Sequence, residues 1–229
     1  MDAIWEQLHA SRSWGKYPAE DLIRTIMRHY KFQPRDRMRV LEIGCGAGAN
    51  LSFLLNEGFR VAGIDGAPSA IESALRNLEV YDATAERLEL RVGDFSQLPW
   101  ESQSFDIVID YFALYANDLS TIKRTIKEVE RVLKPGGHFY SRSWGQGTEG
   151  WDHQPQLERG TVVNPGSGPC KDMGVSHFFD CPELKALLSK FSTLELRRLM
   201  SDSGDGHWQE NLEQSSSCRV VEWVAWAER

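Results

Sequence analysis

Apolar residues along this chain follow two rhythms. Short continuous runs read as buried strands, and stripes at helical spacing read as amphipathic helices. Val40-Leu41-Glu42-Ile43 predicts a strand over about 39–44, and a helix over about 49–57 begins with Leu51-Ser52-Phe53-Leu54-Leu55. A second strand covers about 60–64; Pro68 then starts a helix through Ile71, Ala74, Leu75 and Leu78. Leu88–Val92 and Phe105–Asp110 predict two more strands. A helix over about 119–133 carries Ile122, Ile126, Val129 and Leu133, and Pro135-Gly136-Gly137 ends it before a strand through His138-Phe139-Tyr140. Such alternation implies an α/β domain with a parallel, doubly wound sheet.

The flanks differ. Pro18-Ala19-Glu20-Asp21 opens an early helix through Leu22, Ile23, Ile26, Met27 and Tyr30, with proline and acids suited to its first turn. From Gly145 to about Asp180 the chain turns to Gly, Pro, Ser and polar residues. A structureless stretch of that length is usually functional or mobile, so 145–180 reads as a substrate-covering insertion or else a plain surface excursion. Cys181-Pro182-Glu183-Leu184 starts a last helix, and Thr193–Leu199 and Arg219–Ala227 read as final strands joined by a polar loop over 201–217.

Within this frame the most informative stretch is the turn after the first strand. Gly44, Gly46 and Gly48 stand at alternate positions and lead straight into a helix. That arrangement brings backbone close to a nucleoside ligand and offers the helix-start amides to an anionic group. The second strand ends at Asp65, about twenty residues after the first glycine, where a carboxylate accepts ribose hydroxyls. Glu42 lies inside the first strand. A carboxylate there suits a ligand bearing an ammonium better than a pyrophosphate; its other reading is a structural ion pair with an arginine.

The segment Val40–Asn50 resembles the glycine-rich motif of class I S-adenosylmethionine-dependent methyltransferases. The resemblance continues in Gly63-Ile64-Asp65, Gly93-Asp94-Phe95, Leu98-Pro99-Trp100, Ser104–Val108 and Arg131–Gly137, in the family's order over roughly 38–142. It implies a Rossmann-like, mostly parallel seven-stranded sheet with an antiparallel last strand, and S-adenosylmethionine as cofactor. It also implies Asp65 at the ribose, Asp94 at the adenine amino group with Phe95 beside the ring, Glu42 and the Gly44–Gly48 loop facing the methionine moiety, and Asn50 and Gly66 among the cofactor-binding residues. Residues 1–37 would form a helical cofactor lid, 38–142 the cofactor-binding core and 181–229 a helix with edge strands, all in one domain.

The remaining candidates follow from position. Trp14 and Tyr17 precede the first predicted helix, where aromatic faces would close the cofactor site or simply pack. Tyr111 and Tyr115 follow the fourth strand, with Asp110 at its end, beside the expected methyl position. Arg142 would clamp a substrate carboxylate, or pair with Glu42 or Asp110. His177 is the candidate general base, with a structural histidine as the other reading.

Composition narrows the function class. The 229 residues carry a formal net charge of −7, against the basic patch usual in nucleic-acid binders. Asp110-Tyr111-Phe112-Ala113 also lacks the Asn/Asp-Pro-Pro-Tyr signature of methyltransferases that act on the amino groups of DNA bases. A small-molecule acceptor is expected, with no nucleic acid and no membrane partner, and with a homodimer left open. No apolar run spans a membrane and no signal-peptide pattern opens the chain, so the cytoplasm is the expectation. Cys45, Cys170, Cys181 and Cys218 are too scattered for a disulfide framework, and no metal site is expected. The leading expectation is methyl transfer by in-line displacement. The alternatives are a cyclase that turns the cofactor's own side chain into an azetidine amino acid, and a noncatalytic cofactor-binding partner protein. A nicotinamide dehydrogenase suits the chain least.

Overall fold

The computed structural model describes residues 4–12, 14–81, 84–202 and 219–229. Helices α1 (Ile4–Ser11) and α2 (Glu20–Tyr30) precede β1 (Arg39–Ile43), α3 (Ala49–Asn56), β2 (Arg60–Asp65), α4 (Pro68–Leu78) and β3 (Leu88–Val92). Then come β4 (Phe105–Tyr111), α5 (Leu119–Val132) and β5 (Leu133–Trp144). Three short strands follow, β6 (Gln156–Glu158), β7 (Thr161–Val163) and β8 (Val175–His177), before α6 (Cys181–Leu187), β9 (Thr193–Asp202) and β10 (Arg219–Glu228).

The main sheet has the order β3-β2-β1-β4-β5-β10-β9. Its first five strands pair parallel, and β10 runs antiparallel to both β5 and β9. Side-chain alternation splits the apolar residues between two layers. Leu41, Ile43, Val108 and Phe139 pack with Ile122 and Val129 of α5, whereas Val40, Val61, Ile107 and Ile109 pack with Ile26 of α2 and Leu54 of α3. Both faces of the sheet are therefore covered, as its continuous apolar strands require.

Local chemistry sets the helix starts. Asp118 caps α5 by accepting from the Thr121 amide at 2.8 Å, and Asp180 caps α6 by accepting from the Glu183 amide at 2.8 Å. The chain winds outward from β1 to β3 on one side and restarts at β4 on the other. This leaves a crevice at the carboxyl ends of β1 and β4, where α/β sheets bind ligands.

Two expectations are corrected here. The insertion 145–180 is not structureless: β6, β7 and β8 form a separate antiparallel sheet. The Pro135-Gly136-Gly137 turn does not separate helix from strand. β5 begins at Leu133, which pairs with Phe105, and the register jumps so that His138 pairs with Ile107. The glycines thus lie in a bulge. Of the polar loop expected over 201–217, residues 203–217 lie outside the described residues, as does Cys218.

Candidate functional site

The turn after β1 is shaped by close backbone approach. Gly44 has φ +62°, and a Cβ there would lie 2.3 Å from the Cβ of Ala113 after β4. Only glycine lets the two strand ends meet this closely. Behind the turn the Asp65 carboxylate accepts from the Gly46 amide and from the Ala67 amide, each at 2.9 Å, which fixes the loop's curvature.

The turn forms one wall of a cavity of about 400 Å³, within the range of small-ligand sites. Of the residues singled out from sequence, Trp14, Tyr17, Glu42, Gly44, Gly46, Asn50, Asp65, Phe95, Tyr111 and Tyr115 line it. Tyr17 stands at the rim, 90% exposed. Trp144 at the end of β5, which the sequence also puts at the ligand edge, lines it too, and the structure adds Trp5 and His9 of α1, Phe112, Ala113 and Asn117 after β4, and Pro169 and Met173 of the insertion. α1 is held over the site by Glu6, whose carboxylate accepts from the Ser69 amide at 3.2 Å and hydroxyl at 3.0 Å near the start of α4. Among the described residues no lysine or arginine lines the cavity.

Glu42 is the unusual group. It is buried, its Oε1 accepts from Asn50 Nδ2 at 2.7 Å, and its Oε2 has no hydrogen-bond partner among the described residues. Burial, reinforced by the charges of Asp110 and Asp65, pushes its carboxyl up to about 8, although the Asn50 hydrogen bond pulls the other way. The arginine partner considered from sequence is not found among the described residues; the partner is Asn50. Asn50 Oδ1 in turn accepts from the Ala19 amide at 3.1 Å, tying the start of α2 to the site.

Aromatic rings supply most of the remaining wall. His9 lies 4.8 Å from Trp14 between ring centroids, and Trp5 meets Tyr115 edge-on at 6.3 Å. Trp5 Nε1, Trp14 Nε1 and His9 Nδ1 are buried without hydrogen-bond partners among the described residues. Burial lowers the His9 pKa, with Asp65 and Glu6 opposing. Burial likewise raises the Tyr111 and Tyr115 phenols above their ordinary values, so both hydroxyls stay protonated. Sequence reading misses Trp5 and His9, because two turns of helix near the N-terminus carry no signal of where they dock.

Several expected site residues are not brought to the cavity. Asp110 is sealed beneath it. Its Oδ1 accepts from the Ala113 and Leu114 amides at 2.9 and 3.0 Å, and its Oδ2 accepts from Ser141 Oγ at 2.6 Å. Arg142 faces away as well, ion-paired to Asp21 and Glu222, with Tyr140 also donating to Asp21. The clamp expectation fails because both carboxylates already occupy the guanidinium. His177 is fully buried between Thr161 Oγ1, 2.7 Å from Nδ1, and Glu183 Oε2, 2.8 Å from Nε2. Both ring nitrogens are taken, so it fixes the insertion to α6 and offers no free base. Gly48 (φ +82°) packs toward Leu78 and Ala74 of α4. Gly66 is absent from the lining, and exposed Asp94 accepts from the Ser96 amide at 2.8 Å. Among the described residues no cluster of three metal-ligating side chains occurs, and no helix is long and apolar enough to cross a membrane.

Comparison with known proteins agrees with this architecture. The profile of the family described as "Methyltransferase domain" matches residues 34–162, more than half of the chain. A sterol 24-C-methyltransferase of Gibberella zeae is 31% identical over 132 residues, covering 55% of this chain and 34% of that protein. A tRNA N(3)-cytidine methyltransferase of Gallus gallus is 28% identical over 213 residues, covering 86% of this chain and 56% of its own length. The chain thus spans between a third and just over half of these curated relatives. The solved structure of the N-methyltransferase NodS from Bradyrhizobium japonicum, in complex with S-adenosyl-L-homocysteine, superposes with a TM-score of 0.64. It does so at 19% identity, covering 100% of this chain and 99% of NodS. The chain belongs to the methyltransferase domain family, with the fold of the class I S-adenosylmethionine-dependent enzymes.

Proposed function

We propose that this protein binds S-adenosylmethionine in the cavity between β1, α1 and β4 and methylates a small-molecule acceptor. The observation that carries this reading is Glu42 Oε2, a buried carboxylate oxygen without a partner among the described residues, in a cavity that none of their lysines or arginines lines. An unpaired buried carboxylate is costly, and a cationic ligand relieves that cost. The residues present therefore fit this cofactor: Glu42 and Asn50 for its cationic end, Asp65 for hydroxyl donors and Phe95 for a flat ring.

When bound, S-adenosylmethionine supplies a methyl group on a positively charged sulfur that already leaves readily. The protein's part is positioning, which contributes up to roughly 7–11 kcal/mol in well-oriented reactions. Trp5, His9 and Trp14 close the cavity from the α1 side and exclude water. The aromatic faces around the cavity favour a positive charge by about 0.5–2 kcal/mol. Tyr111, whose phenol stays protonated, orients the acceptor as a hydrogen-bond donor. A base is not required when the acceptor arrives as a neutral nucleophile.

The small-molecule reading rests on the net charge of −7 and the walled cavity without a lysine or arginine among its described lining. The deciding experiment is mass spectrometry of products after incubation with S-adenosylmethionine and cell extract. S-adenosylhomocysteine together with a methylated small molecule is expected. Methylthioadenosine formed without acceptor would instead indicate cyclisation, methylated RNA a nucleic-acid acceptor, and no turnover a binding protein.

A further inference from the structure

We infer that the acceptor is a planar aromatic or heteroaromatic ring, uncharged or cationic, that bears no carboxylate or phosphate. The inference rests on the methyl-transfer reading and names the acceptor class for the same cavity.

The first observation is an aromatic side chain carried on strained backbone. Phe112 has φ +57°, a left-handed conformation that bulky side chains rarely adopt unless the surroundings impose it. Here they do. Its amide donates to the Arg142 carbonyl at 2.9 Å, and Asp110 grips the next two amides, those of Ala113 and Leu114. The Arg142 guanidinium stands 5.5 Å from the ring centroid. The buried polar groups beneath the cavity thus brace Phe112 so that its ring lines the wall.

The second observation is what surrounds that ring. Phe112 lies 4.2 Å from Trp144 at an interplanar angle of 35°, and Tyr115 stands edge-on to both at 6.3 and 6.2 Å. Met173 adds a sulfur 3.8 Å from the Tyr115 hydroxyl. These groups offer flat faces and a polarizable edge, the surface on which another ring stacks.

The third observation is charge. The cavity is lined by Glu42 and Asp65, neither of which has an ion-pair partner among the described residues, and by no described lysine or arginine. Arg142, the nearby guanidinium, is spent on Asp21 and Glu222. An anionic acceptor would find no lysine or arginine among the described lining and would meet the negative faces of the rings; a neutral or cationic ring meets none of that cost.

The test uses three probes of similar size on protein saturated with S-adenosylhomocysteine: isoquinoline, isoquinoline-1-carboxylate and decahydro-2-naphthol, the last saturated and uncharged at neutral pH. Affinities are read by ligand-observed NMR titration. Isoquinoline is expected to bind at least tenfold more tightly than the other two. Phe112→Gly removes the ring while accepting the left-handed backbone, and it should weaken isoquinoline at least tenfold; Trp144→Leu serves as a second variant should the first not fold. Equal or tighter binding of the carboxylate or the saturated probe, no binding of isoquinoline, or indifference to both variants would overturn the inference. Calorimetry with S-adenosylhomocysteine comes first and separates the two levels. Failure there removes the methyl-transfer reading and this one with it, whereas wrong ring selection on loaded protein removes only the acceptor class.

Discussion

Replacing Glu42 with glutamine should abolish a pH dependence that the wild-type cavity imposes on cofactor binding. Without ligand the Glu42 carboxyl sits at about 8, so at pH 7 it holds about 0.9 of a proton. A cation bound beside Oε2 lowers that value, and binding then expels the proton. A tenfold change in affinity corresponds to about 1.4 kcal/mol, so each unit by which the bound cation lowers the Glu42 value couples ligand and proton by that amount. Calorimetric titration of S-adenosylmethionine from pH 6 to 9, in buffers of different ionisation enthalpy, gives both affinity and protons released. The dissociation constant should fall by up to about tenfold per pH unit below pH 8 and flatten toward pH 9. Glu42→Gln keeps the shape but not the charge. Its affinity at pH 8 should be about 10–150-fold weaker, the worth of a charged hydrogen bond, and nearly independent of pH. A flat wild-type profile, or the same slope in the variant, would show that Glu42 does not couple to the ligand's charge. The stability linkage has a definite sign. A carboxyl raised from 4.5 to about 8 on folding stabilises most below its unfolded value and loses that contribution as pH rises toward 8. The ligand-free variant should therefore gain in unfolding temperature over wild type as pH goes from 6 to 8.

Three other substitutions probe the surrounding architecture. Gly44→Ala combines a left-handed backbone with a methyl 2.3 Å from the Ala113 Cβ; urea unfolding should show a loss of about 2–5 kcal/mol. Asp65→Ala removes the acceptor for the Gly46 and Ala67 amides. It should lower stability by about 1–3 kcal/mol and weaken S-adenosylhomocysteine at least tenfold, so unchanged affinity in calorimetry would contradict its ribose assignment. Arg142→Met strands Asp21 and Glu222 against each other. A loss of about 3–5 kcal/mol in urea unfolding is expected, and a wild-type midpoint would show that the network contributes little.

The sheet is legible in the sequence because its strands are buried on both faces and so stand out as apolar runs between helical stripes. Glu42 and Asp65 are legible for the same reason, as lone carboxylates in or at the ends of such runs. What escapes is orientation. Along β5, Ser141 and Ser143 both turn toward Asp110 while Tyr140 and Arg142 turn toward Asp21 on the other face. Sequence places Arg142 at the ligand edge without saying which way it points, so it reads as a clamp when it is a strut. His177 misleads similarly: a neutral-range side chain near a polar insertion suggests a base, but Thr161 and Glu183 occupy both nitrogens only after folding. The sheet of β6, β7 and β8 stays hidden because its strands are three residues each, too short for a period to show.

A crystal structure of the protein grown with S-adenosylmethionine or its demethylated product bears most immediately on the proposed cradle. Ligand density is expected in this cavity, with a cationic group of the ligand within about 4 Å of Glu42 Oε2 and the ribose hydroxyls on Asp65. Density elsewhere, or a ligand whose positive charge faces away from Glu42, would contradict it.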